Sequence, residues 1–176
     1  MAVSYYSFWL VPQEPDLTYF QDLINGLAER FKTEPFYPHV TLYSGSLPAS
    51  LAVTAVVKGL SLTQPIELEV ITLNHETHFS KTLYVQLKQT VDFTQLVRDL
   101  VTAIPDAPQP RLDPHLSLLY HRLDAVTQQT LTETITLPRS TIQFDQIQVI
   151  AAPQNFETQS HVASLRCVHS KLLTLS

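Results

Sequence analysis

Two of the seven histidines stand in matching settings, Pro38-His39-Val40-Thr41-Leu42 and Pro114-His115-Leu116-Ser117-Leu118. Each run alternates apolar with polar residues and sets an imidazole and a hydroxyl two apart. On a β-strand they therefore point to the same face. Imidazole titrates near neutral pH, so two of them can divide general-base and general-acid work. Two hydroxyls can donate to the non-bridging oxygens of a tetrahedral centre as negative charge builds there. A strained cyclic phosphodiester such as a nucleoside 2′,3′-cyclic phosphate needs both. Water must be activated on one side of phosphorus and the leaving ribose oxygen protonated on the other. A two-fold-related histidine pair meets that in-line requirement with no metal and no other cofactor. Either histidine could take either role, because the pair is nearly symmetric.

The elements that would carry these residues can be read from periodicity. Residues 4–11 alternate as a strand and are ended by Pro12. Leu17, Phe20, Leu23, Ile24, Leu27 and Phe31 recur at three-four spacing and predict a helix over 15–31, with Pro15 in its first turn. Residues 36–44 form the first motif strand, 49–60 a helix, and 66–74 and 82–88 two strands joined by the polar loop 75–81. Helical patterning returns at 94–104, and a proline-rich connection leads to the second motif strand, 115–120. A polar helix at 124–135 and strands at 141–151 and 162–169 complete the reading. The motifs lie 115 − 39 = 76 residues apart, far beyond a short solenoid repeat, which suggests a duplicated half. The expected fold is α+β and bilobal: two lobes of mainly antiparallel sheet with flanking helices, related by an approximate two-fold. They form one domain over residues 1–176, with a seam near 105–112 and the active cleft between the lobes.

Composition narrows the substrate. Of 176 residues, 44% are hydrophobic and 15% charged, as in a globular chain with one sizeable core. The formal charge is −5 with no basic cluster. Long nucleic acid is thereby disfavoured, because neutralising phosphates dominates that affinity. A small phosphorylated nucleotide is the expected partner, and the chain is expected to act as a monomer. No run is apolar enough to cross a bilayer and no signal peptide opens the chain, so a cytoplasmic location is expected. The lone Cys167 sits in an alternating run and reads as buried and inert. His75 and His78 have ligand spacing but lack the further partners and frame of a zinc site. Their loop reads as solvated, Lys81 as a surface lysine, and His121, His161 and His169 as structural or surface residues.

With these segments in view, the sequence resembles the 2H phosphoesterases, a family named for two His-x-[Ser/Thr] motifs. His39-Val40-Thr41 and His115-Leu116-Ser117 match those motifs, and the resemblance extends over most of the chain. Ser7-Phe8-Trp9-Leu10-Val11-Pro12, Phe36-Tyr37-Pro38 before the first motif and Leu118-Leu119-Tyr120 after the second are similar to the plant-type cyclic phosphodiesterase branch. The resemblance implies a bilobal fold with His39, Thr41, His115 and Ser117 lining the cleft. It also implies metal-independent opening of ADP-ribose 1″,2″-cyclic phosphate to the 1″-phosphate and of nucleoside 2′,3′-cyclic phosphates to 2′-phosphates. By the same resemblance His115 would be the base, His39 the acid, and Tyr120 an aromatic near the substrate base. Trp9 and Phe79 could also offer a π face to that base. Tyr43, two residues past Thr41, would share its face and wall the cleft. The alternatives are an enzyme of the same fold that processes RNA ends or joins 2′,5′ ends, a nucleotide-binding module without catalysis, and an interaction scaffold in which the motifs only pack.

Overall fold

The computed structural model describes residues 3–48, 51–61 and 63–174. Seven strands and five helices follow in the order β1 (Val3–Pro12), α1 (Asp16–Phe31), β2 (Val40–Pro48), α2 (Val53–Lys58), β3 (Ile66–Asn74), β4 (Leu83–Leu87), α3 (Val91–Thr102), β5 (His115–Leu119), α4 (Ala125–Thr134), β6 (Thr141–Ala151), α5 (Gln159–Ala163) and β7 (Arg166–Leu172). The strands form one antiparallel sheet in the order β1-β2-β5-β4-β3-β6-β7, and β1 also pairs with β6. The long β6 makes this possible. One of its edges pairs with β1 from Phe144 to Ala151, while the other pairs first with β3 (Phe144 with Ile66) and then with β7 (Gln146 with Leu172). The sheet thus has two four-stranded wings, β2-β1-β6-β7 and β5-β4-β3-β6. Strands from before and after residues 105–112 share both wings, so that proline-rich stretch connects α3 to β5 without dividing the sheet.

The wings meet at their outer ends where β2 touches β5, at the single pair Val40–Leu116. Because these strands run antiparallel, His39 lies across from Ser117 and Thr41 across from His115. The two motifs are brought together by direct pairing, each imidazole opposite the other motif's hydroxyl.

Alternation sorts the residues of β1. Phe8 and Leu10 enter the main core with Phe20 and Ile24 of α1, whereas Ser7 and Trp9 turn to the opposite face. Helix α1 packs on β5 and β1, α3 on β2, and α4 on β4. Caps fix the helix starts: Thr90 accepts from the Phe93 N–H at 3.2 Å, and Asp124 from the Thr127 N–H at 2.9 Å. Pro15 stands at the N-cap of α1, one place earlier than expected.

Several boundaries depart from the sequence reading, among them the helix expected over 94–104, which spans Val91–Thr102. The first motif strand begins at Val40, not at 36, because Pro35 and Pro38 bring no N–H to a ladder. The helix expected over 49–60 spans Val53–Lys58, and residues 49 and 50 lie outside the described residues. The strand expected from 162 begins at Arg166. Thr158 caps the Gln159–Ala163 helix ahead of it, accepting from the His161 N–H at 3.3 Å. Cys167 is exposed, contrary to expectation, since β7 is the terminal strand of its wing.

Candidate active site

The two histidines repeat one local geometry. His39 Nδ1 is 2.6 Å from the Tyr37 carbonyl, and His115 Nδ1 is 2.8 Å from the Asp113 carbonyl. A carbonyl only accepts, so in each ring Nδ1 carries the hydrogen and Nε2 is the nitrogen left for chemistry. The pair differs in surroundings. His39 is buried, stacked on Trp9 with centroids 3.5 Å apart and planes within 6°, and its Nε2 accepts from the Tyr120 phenol at 3.3 Å. Burial drives its pKa down to about 3, against the upward pull of the Tyr37 carbonyl and with a further push down from His115. His115 is half-buried. Burial lowers its pKa too, opposed by the Asp113 carbonyl; Lys81 pushes it lower, and the carboxylates of Asp113 and Glu76 push it up.

The hydroxyls are not equivalent either. Thr41 is exposed at the wall of a cavity that both histidines line. Ser117 is buried, donates to the Ser80 carbonyl at 2.8 Å, and is not part of the cavity wall. Past Thr41 the alternation breaks. Phe8 pairs with Tyr43 but Trp9 with Thr41, so Leu42 is the extra residue of a β-bulge. Tyr43 is thereby turned into the core against Phe8, with ring centroids 6.5 Å apart, and does not wall the cleft as expected. Ser44 takes the cavity face in its place. Gly45 lies under the Tyr43 ring, where a Cβ would collide with the phenol.

Among the expected aromatics, Trp9 and Tyr120 line the cavity and Phe79 stands behind it. Tyr120 has Phe36 stacked on its face at 3.7 Å, with Phe156 edge-on at 5.5 Å and Phe79 tilted at 6.2 Å. It meets His39 through its hydroxyl rather than its ring face. Burial raises the phenol's pKa, against the neighbouring Ser117, so it remains a donor.

Lys81 is not a free surface lysine. Its Nζ lies 2.8 Å from both Glu76 and Asp113 and 4.3 Å from the Tyr84 ring centroid. Burial works against its charge, but the two carboxylates more than offset that and raise its pKa. The Gln86 amide donates to the other Asp113 oxygen at 3.1 Å. Asp113, whose carbonyl orients His115, is thus held at both carboxylate oxygens. The offset of two from each motif histidine was visible in the sequence as Tyr37 and Asp113, yet nothing there says that the carbonyl is the partner.

The cavity measures about 290 Å³ and is lined by Ser7, Trp9, His39, Thr41, Ser44 and His115 among others. Trp9 and Leu165 also border a larger neighbour of about 570 Å³ over β6 and β7, walled by Phe36, Tyr37, Gln148, Ile150 and Cys167. Among the described residues neither cavity is lined by Lys or Arg, and Glu34 is the charged residue at the larger one.

Comparisons with known proteins agree with the fold. A family model described as the 2′-5′ RNA ligase superfamily matches residues 27–155. Escherichia coli LigT, crystallised with 3′-AMP, shares 14% identity with this chain at a TM-score of 0.62, covering 99% of this chain and 100% of LigT. TT0787 of Thermus thermophilus aligns at 12% identity and TM-score 0.59 over 96% of this chain and 97% of its own. Kluyveromyces marxianus Usb1 aligns at 11% and 0.51 over 98% of each chain. No curated protein matches the sequence.

Proposed function

This chain belongs to the 2′-5′ RNA ligase superfamily, the 2H phosphoesterases, and from that membership we propose that it hydrolyses cyclic phosphodiesters of small nucleotides by two-histidine catalysis. One observation carries the reading. Two imidazoles, each fixed through Nδ1 to the carbonyl two residues before it, border one cavity of a small ligand's size. E. coli LigT has been crystallised with 3′-AMP, ATP and NADP+, in keeping with a small nucleotide as the ligand class. The closer likeness to the plant-type branch rests on residues 7–12, 36–41 and 114–120.

The electrostatics favour His39 as the base and His115 as the acid, the reverse of what the family resemblance implies. Buried, stacked and hydrogen-bonded at Nε2, His39 is held neutral. Burial lowers the pKa of His115 as well, but the Asp113 carbonyl and the carboxylates of Asp113 and Glu76 pull it back toward the protonated form. In the reaction, water takes the donor position that the Tyr120 phenol occupies and gives its proton to His39 Nε2 as its oxygen bonds to phosphorus. The bond to the ribose 3′-oxygen breaks on the opposite side, and His115 Nε2–H protonates that oxygen. A 2′-phosphate remains, and exchange with solvent resets both rings. Thr41 donates to a non-bridging oxygen. No residue in this scheme calls for a metal. The base extends past Trp9 toward the larger cavity, where Glu34 is the charged residue and, among the described residues, no Lys or Arg lines the wall for a pyrophosphate. Nucleoside 2′,3′-cyclic phosphates should therefore outrank ADP-ribose 1″,2″-cyclic phosphate.

Hydrolysis of both substrates in excess EDTA, with wild type beside His39→Ala and His115→Ala, tests the reading. The expected result is metal-independent turnover in the wild type and a loss of at least about 10²–10⁴-fold in each variant. Full activity in either variant would sink the two-histidine mechanism. Product binding without turnover would shift the function to a nucleotide-binding module, and a strong preference for oligonucleotide ends to RNA-end processing.

A further inference from the structure

We infer that Gln86 of β4 is a positioning residue for His115: together with Lys81 it holds the Asp113 carboxylate off the ring, so that Nδ1 stays on the Asp113 backbone carbonyl. The inference deepens the function proposed above and rests on its assignment of His115 as the acid. Two acceptors of one residue compete for the same hydrogen. Nδ1 lies 2.8 Å from the Asp113 carbonyl oxygen and 3.9 Å from its carboxylate oxygen Oδ2. A free carboxylate would win that hydrogen, because bonds to an ionised acceptor are the stronger ones. Gln86 and Lys81 prevent the swing. Gln86 Nε2 lies 3.1 Å from Asp113 Oδ1 and 3.0 Å from the Pro114 carbonyl. Both partners only accept, so the amide nitrogen must face them, and its two hydrogens are both used. Lys81 Nζ donates to Asp113 Oδ2 and to Glu76 Oε1, each at 2.8 Å, and rests on the Tyr84 ring. The Tyr84 hydroxyl in turn donates to Glu76 at 3.0 Å.

Strand register builds this clamp. Gln86 pairs directly with His115 across β4 and β5, so their side chains share a face. At the matching place before His39 stands Tyr37, which carries no anion to restrain. The restraint matters for the proton that His115 must release from Nε2 to the leaving oxygen. A carboxylate bonded to Nδ1 stabilises the imidazolium and would hold that proton back. A neutral carbonyl fixes the same tautomer and orientation without an anion in contact. Besides Asp113, the charged and titratable groups around His115 are Lys81, Glu76, the Tyr84 phenol and His39. Gln86 is uncharged, so removing its amide changes none of these charges and acts through the position of Asp113.

The test compares wild type, Gln86→Met, Asp113→Asn and Gln86→Met/Asp113→Asn. One readout is the titration of the His115 ring by nuclear magnetic resonance, which needs no substrate. The other is the pH profile of kcat and KM on 2′,3′-cyclic CMP. Gln86→Met should raise the His115 midpoint by about 1 pH unit as the carboxylate takes the Nδ1 hydrogen. Below the descending limb kcat should drop by about threefold with KM unchanged, since a stronger base is a weaker acid. In the Asp113→Asn background the same substitution should leave the midpoint where Asp113→Asn alone puts it, because the two residues act as one pair. If Gln86→Met does not fold, Gln86→Asn, whose amide falls one methylene short, carries the same expectations. A midpoint at or below that of wild type would overturn the inference, as would an equal rise in the Asp113→Asn background. Should the wild type open no cyclic phosphate, the proposed function fails, and the ring titration alone decides on Gln86.

Discussion

At the residue scale, the two histidines are chemically matched and electrostatically unlike. The proposed mechanism needs His39 neutral and His115 protonated, and His115 is pulled below the ordinary histidine value. The rate constant kcat/KM should therefore fall as pH rises through neutrality, by about tenfold per unit once the His115 proton is lost. Neighbouring charges should move that limb in opposite directions. Lys81 pushes His115 down, so Lys81→Met should carry the limb to higher pH; the Asp113 carboxylate pushes it up, so Asp113→Asn should carry it lower. A pH–rate series from 5 to 9 on the three proteins checks this. A wild-type rate that rises through neutrality would restore the opposite division of roles, and shifts of the same sign in both variants would remove Lys81 and Asp113 from control of His115.

At the scale of elements, the segment from Glu76 to Lys81 is short and polar, yet it presents Lys81 to Asp113 in a fixed position. A 3-10 turn at Phe79–Lys81 shapes it, and α4 holds it from below. Gln128 of α4 is buried and donates to the Glu76 carbonyl at 2.7 Å and, less closely, to the Thr82 carbonyl at 3.5 Å. Gln128→Leu keeps the volume but leaves both carbonyls without that donor, at a cost of about 1–3 kcal/mol. The thermal midpoint should fall by roughly 2–4 °C per kcal/mol, measurable by calorimetry. An unchanged midpoint would mean that the loop holds its shape without α4. The bulge in β2 is the other local device, since it moves Tyr43 into the core and Ser44 onto the cavity wall. Alternation alone placed Tyr43 in the cleft, because the position of one extra residue depends on how β1 and β2 twist against each other.

At the scale of the whole molecule, burying an imidazole between the wings has a consequence for stability. His39 has a folded pKa of about 3, below the unfolded value near 6.5. The unfolded chain therefore binds more protons throughout that interval. Stability is complete above pH 6.5 and declines as pH falls toward 3. Between pH 7.5 and 5 the loss should be about 2 kcal/mol, read as a lower urea midpoint. His39→Ala should flatten that slope, and an equal slope in the variant would assign the acid sensitivity to other groups.

The sequence by itself determined the family and most of the elements. The two motifs, their imidazoles and the family were legible, because hydrophobic period and residue type are local properties. Strands such as Ile66–Asn74 and Thr141–Ala151 followed from composition and alternation alone. Tertiary structure decided what those residues face. It paired Val40 with Leu116 and so set each imidazole opposite the other motif's hydroxyl. It distributed the strands of both halves over two wings, left Cys167 exposed on a terminal strand, and drew Lys81 into an ion-pair cluster. It also made unequal two motifs that the sequence writes as equals, because burial and the partner of each hydroxyl depend on neighbours far away along the chain.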